Sequence, residues 1–215
     1  MTAARRNLPA SGLFVLVAFA GSLAIPSPAF AHTINCSRFN IDDTASRPLH
    51  RVMVPPLRAC KTVLSHGYPI PDPHCTPGAI NPTVTTSVLE DPGFRTRCVR
   101  NGDTTEHQKT ATYRWYGINH PSHNTGHSQT CELDHLVSLE LGGADTLDNI
   151  WPECGPAGVP MAQRYFKEKD AVENYLATQV KAGRMKLEDA QRGIAEDWTR
   201  YLAIARKSCR RTNCR

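Results

Sequence analysis

The pattern of apolar and polar positions is clearest from Leu133 onward. Leu133, His135, Val137 and Leu139 alternate with Asp134, Leu136, Ser138 and Glu140, the period of a strand. Gly142, Gly143 and Asp145 then supply turn chemistry, and a return strand is expected from about Asn149 and Ile150. Beyond it the period becomes helical. Phe166, Val172, Leu176 and Val180 share one face of a helix expected from about Met161 to Val180, with Pro160 suited to its first turn. Ala182-Gly183-Arg184 ends that helix. A second is expected from about Leu187 to Ala205, its apolar stripe formed by Leu187, Ala190, Ile194, Trp198, Tyr201 and Leu202. The two helices should form an antiparallel hairpin.

The segment before this pattern is different. Pro48, Pro55, Pro56, Pro69, Pro71, Pro73, Pro77, Pro82 and Pro92 preclude long helices and central strands. Extended loops and short strands are expected there, with one turn of helix in Arg51–Lys61 broken at Pro55-Pro56. Tyr113, Trp115 and Tyr116 are expected to pack as aromatics against the strand pair. The fold class is therefore α+β.

The first 31 residues read as a secretory leader. Arg5 and Arg6 precede the apolar run Leu13–Ile25, and Ala29-Phe30-Ala31 offers small residues for cleavage after Ala31. The run is short for a membrane span, so the exported chain is expected to have no membrane partner. The expected organisation is a leader over 1–31, a loop-rich disulfide-stapled region over 32–110, and a domain over 111–215 carrying the strand pair and helices.

Hydrophobic residues make up 40% of 215, enough for one modest core. The net charge of +5 falls to +3 with the leader, which takes away Arg5 and Arg6 and no acid. That bias allows a polyanionic partner without arguing for one.

Eight cysteines, Cys36, Cys60, Cys75, Cys98, Cys131, Cys154, Cys209 and Cys214, all follow the leader. An even count in an exported chain argues for disulfides, and the lack of a CxxC pair argues against a zinc ribbon. Pairing neighbours suggests Cys75–Cys98, Cys131–Cys154 and Cys209–Cys214, leaving Cys36–Cys60.

The triplet LDH, the run LELGG and the segment DNIWPE, followed by a helix, resemble the ββα-metal finger of HNH nucleases. PDPHCTPGAINPTV is similar to the lead-in found upstream of that finger in secreted bacterial HNH-type proteins. The resemblance implies phosphodiester hydrolysis with one divalent cation, Mg first and Mn, Zn or Ni as alternatives. The partner implied is DNA, RNA or both.

The chemistry fits the residues. An imidazole titrates where a general base must, so His135 is the candidate base. Asp134 is the candidate metal ligand. On a flat strand these neighbours face opposite ways, and the resemblance implies a distortion that brings both to one cleft. It also implies that Asn149 holds the loop and the base histidine. On the helix, KDAVEN offers Glu173 as second metal ligand and Lys169 as a phosphate contact, with Asp170 and Asn174 as alternatives. His107, His120, His123 and His127 sit in polar, turn-rich surroundings and are expected to be exposed. The expected function is a secreted metal-dependent endonuclease. The alternative is a secreted disulfide-rich binding module that keeps a non-catalytic finger. Oligomeric state is not legible.

Overall fold

The computed structural model describes residues 34–50 and 59–212. The expected leader and most of the Arg51–Lys61 turn lie outside the described residues, as does the Cys209–Cys214 pairing.

The proline-rich region forms short strands in pairs: β1 (Arg47–Pro48) with β4 (Ala79–Ile80), and β2 (Val63–Ser65) with β3 (Tyr68–Ile70), all antiparallel. His66 and Gly67, both at positive φ, close the β2–β3 hairpin. A short helix α1 (Thr86–Glu90) follows, then α2 (Glu106–Trp115). The reading of this stretch as loops and strands missed α2. Its start is a capping box: Gln108 N–H donates to Thr105 Oγ1 at 3.3 Å, and Thr105 N–H donates back to Gln108 Oε1 at 2.8 Å.

The central hairpin pairs β5 (Cys131–His135) with β6 (Ile150–Cys154) in the register Cys131↔Cys154 to His135↔Ile150. The expected alternation through Leu139 stops at His135. Leu136 and Val137 are both buried, and the chain turns through a 3₁₀ segment, Leu139–Leu141. The side chain of Asn149 takes the place of a strand partner: Val137 N–H donates to its Oδ1 and its Nδ2 donates to Val137 O, both at 2.9 Å. A Cβ at Gly143 would overlap the Val137 carbonyl, so the return of this loop requires glycine.

Helix α3 (Tyr165–Lys181) buries Phe166, Val172, Leu176 and Val180, as its period predicts. It begins after Arg164 rather than at Met161, which lies in a separate 3₁₀ turn. Gly183 ends it at φ +65°, with Gly183 N–H donating to Val180 O. The second helix is broken. The chain runs through α4 (Leu187–Asp197), a 3₁₀ turn (Trp198–Tyr201) and α5 (Leu202–Thr212). Asp197 interrupts it, leaving helical backbone at φ −165° to accept Thr199 N–H at 3.0 Å and Ser65 Oγ at 2.7 Å. The apolar stripe survives the break, and Trp198 is fully buried.

The described residues make one compact unit, and its main core mixes both halves: Ile80, Val84, Leu89 and Phe94 pack with Val172, Leu176, Ile194 and Trp198. Position 110 lies inside α2, so the expected boundary between 110 and 111 runs through a helix.

The pairing Cys131–Cys154 is present and joins the ends of β5 and β6. The expected pairings Cys75–Cys98 and Cys36–Cys60 are corrected to Cys36–Cys98 and Cys60–Cys75. Cys75 and Cys60 pack beside Trp151 and Tyr116, whereas Cys98 belongs to the main core with Cys36. The fold therefore carries Cys75 and Cys98 to different clusters. A peptide map under non-reducing conditions should recover Cys36–Cys98 and Cys60–Cys75. A Cys75–Cys98 cross-link would contradict this arrangement.

Candidate active site

Antiparallel pairing puts Glu132, Asp134, Trp151 and Glu153 on one face of the β5–β6 hairpin. Helix α3 meets this hairpin through Lys169. Its ammonium is fully buried, 2.7 Å from Asp134 Oδ2, paired with Glu173 Oε1, and donates to the carbonyl of His135 at 2.7 Å. Burial pulls the Lys169 pKa down, but the charges of Asp134, Glu173 and Glu153 outweigh it, so the lysine stays charged. Glu153, also fully buried, goes the other way. Burial and the neighbouring Asp134 charge hold its carboxyl well above the ordinary carboxylate range.

This geometry corrects the role expected for Lys169. A phosphate contact must reach solvent, and Lys169 does not. It is the counter-ion that fixes two carboxylates.

Asp134 and His135 line one cavity of about 170 Å³. The chain leaves the strand at His135, and Ser138, Leu139 and Glu140 of the following turn line the same cavity, so the two neighbours meet at the strand end. Glu132, Asp170 and Glu173 complete an acidic wall. Burial first, and then repulsion by Asp134, raises the Glu132 carboxyl; burial raises that of Glu140. Arg100, which is exposed, brings the opposite charge to the lining, and the neutral Thr96 lines the cavity as well. Of the three helix alternatives, Asp170 and Glu173 line the cavity. Asn174 does not, and its amide donates to Asp170 O at 2.8 Å on its own helix.

His135 has a partner that the sequence reading used only as a turn residue. Its Nε2 lies 2.7 Å from Asp145 Oδ1. Asp145 is almost fully buried and also pairs with Lys109 on α2 at 3.1 Å. Burial alone would raise the Asp145 carboxyl. The hydrogen bond and charge of His135, with those of Lys109, overcome that and bring it down to about 2. An ionised carboxylate only accepts, so in the neutral form of the ring Nε2 carries the proton and Nδ1 the lone pair. Nδ1 has no hydrogen-bond partner among the described residues. A loop acid ten positions after the histidine was the one available signal, and turn chemistry concealed it.

Asn149 is fully buried and its side chain makes four hydrogen bonds. Besides the two to Val137, its Nδ2 donates to Ala144 O at 2.8 Å and its Oδ1 accepts Ala79 N–H at 3.2 Å. It holds the loop between β5 and β6, and its four side-chain bonds go to Val137, Ala144 and Ala79 rather than to the His135 ring.

The donor set is carboxylate oxygen, which suits a hard divalent cation. Asp134 and Glu173 keep 11% and 13% of their side-chain surface open beside the ammonium. Among the described residues, no three His, Cys, Asp or Glu side chains form a ready ligand group. His107, His120, His123 and His127 are all exposed, as expected.

Comparison with protein-family models, with curated proteins and with solved structures returned no match for the chain.

Two measurements test this geometry. Lys169→Met should cost roughly 3–5 kcal/mol in urea unfolding, because it leaves buried carboxylates uncompensated. A solvent-facing phosphate contact would change stability by less than about 0.5 kcal/mol. Asp145, shifted from 3.8 down to about 2, contributes stability that is present above pH 4 and lost as pH falls towards 2. That contribution is about 2 kcal/mol, so acid unfolding of Asp145→Asn should be flatter across this window. An unchanged slope would mean that Asp145 is not held ionised by these partners.

Proposed function

We propose that this cavity hydrolyses phosphodiester bonds of DNA or RNA with His135 as general base. The observation that carries the reading is the His135–Asp145 pair, which leaves the second ring nitrogen unpartnered on a residue lining an acidic cavity. A nucleophile's base held in turn by a third group is the arrangement hydrolysis requires.

In the reaction, Nδ1 of His135 takes a proton from a water in the cavity. The water oxygen attacks phosphorus, the bond to the leaving oxygen breaks, that oxygen takes a proton from solvent water, and the His135 imidazolium returns its proton to solvent. Asp145 accepts from Nε2–H throughout and stabilises the imidazolium that forms. Arg100 contacts the phosphate in place of Lys169, since a guanidinium matches phosphate oxygens in pairs. Asp134 and Glu173, with Asp170 beside them, would hold a divalent cation, Mg first, whose Lewis acidity would stabilise charge on the phosphoryl and leaving oxygens. Lys169 keeps Asp134 and Glu173 fixed for that task. The strand–loop–strand–helix order and the buried Asn149 support the likeness to the HNH finger drawn from the sequence.

An oxidising compartment outside the cytoplasm fits three disulfides. No helix among the described residues is long and apolar enough to cross a membrane.

Cleavage of plasmid, single-stranded DNA and RNA across several metals tests the reading. His135→Ala should lower turnover by about 10²–10⁴-fold with little change in substrate affinity. Asp134→Ala and Glu173→Ala should need more metal, and excess metal should restore part of their activity. Arg100→Ala should raise KM. Nucleic-acid binding without turnover under any metal would favour the binding module instead. Full activity in folded His135→Ala would end the proposed mechanism.

A further inference from the structure

The Asp145–His135 pair leans on a residue from outside the hairpin. Lys109 lies on α2 with 7% of its side chain exposed, and its Nζ meets the same Asp145 oxygen that accepts His135 Nε2. The backbone N–H of Asn101 donates to the other oxygen at 3.0 Å. Asp145 is thus surrounded by donors. The remaining acid near Lys109 is Glu106, 3.6 Å away and largely exposed, where water screens it.

A buried carboxyl and a neutral imidazole can meet in two ways, and the second holds one more proton than the first. In the first, Asp145 is a carboxylate, Nε2 carries hydrogen, and the lone pair is on Nδ1. In the second, Asp145 is a carboxylic acid that donates to Nε2, and Nδ1 carries hydrogen. Only the first leaves Nδ1 as a base on a residue that lines the cavity. A fixed ammonium on the carboxylate oxygen favours the anion and so selects the first pattern.

We propose that Lys109 is a positioning residue of this site: through Asp145 it fixes the His135 tautomer that keeps Nδ1 free to accept a proton. The proposal rests on the reading of His135 as the base. It also makes the region before the hairpin part of the machinery, because α2 supplies the cation.

Nitrogen-15 NMR of the His135 ring reads the tautomer without any turnover. The wild type should show a protonated Nε2 and a bare Nδ1, and Lys109→Met should lose that pattern. In cleavage, Lys109→Met should lower kcat by about 10²-fold with KM unchanged, the scale expected when a reacting group is misplaced. Lys109→Arg, which keeps the charge, should recover much of both signals. In an Asp145→Asn background, Lys109→Met should cost nothing further, because its effect passes through Asp145. Lys109→Gln, which keeps a donor and loses the charge, replaces Lys109→Met if the latter does not fold. An unchanged ring pattern in the folded variant, or an additive loss in the Asp145→Asn background, would overturn the proposal. If the wild type cleaves no nucleic acid, the hydrolase reading falls, and the ring measurement alone decides the role of Lys109.

Discussion

Taking an ammonium out of water costs several kcal/mol unless opposite charges and acceptors meet it. Lys169 imposes that requirement at the centre of this structure. Its partners come from two elements: Asp134 and the His135 carbonyl from β5, and Glu173 from its own helix. The strand end and α3 must therefore meet at one distance and orientation. The cavity wall follows from that meeting, because Asp134 and Glu173 both border the cavity while anchored from behind. The same contact explains why so many acids can crowd one wall. A buried positive charge offsets part of their repulsion, and burial still pushes the Glu132 and Glu173 carboxyls upward in pKa.

A second buried lysine repeats the device from another direction. Lys109 on α2 stands behind Asp145, which stands behind His135. Two neighbours on β5 are thus each backed by a lysine, one from the helix that follows the hairpin and one from the helix that precedes it. Asn149 closes the loop from inside, and the Cys131–Cys154 bond closes the open end. That bond spans 23 residues, for which the loss of chain entropy in the unfolded state amounts to roughly 3 kcal/mol.

Much of this architecture was legible along the chain. Period two around Asp134, the glycines at 142 and 143, and period 3.6 from Phe166 to Val180 are local physics, and local physics places the hairpin and α3. Asn149 and the Asp134–His135 pair were legible by resemblance. Other features had local signals that went unread. The Thr105–Gln108 capping box announces α2, and Asp197-Trp198-Thr199 announces the break in the second helix.

By itself the sequence determined the hairpin and α3, and it brought Asp134 and His135 forward as candidates. Tertiary structure alone decided what those residues touch. Lys169 and Glu173 share a helix face in any reading, but whether that face meets phosphate or a buried carboxylate depends on how α3 docks on β5. Asp145 becomes the partner of His135 only because the loop folds back under Asn149. Cys98 joins Cys36 rather than Cys75 because the core that gathers them is assembled from segments far apart in the chain. Burial and charge pairing belong to distances through space, and the order of residues along a chain does not contain them.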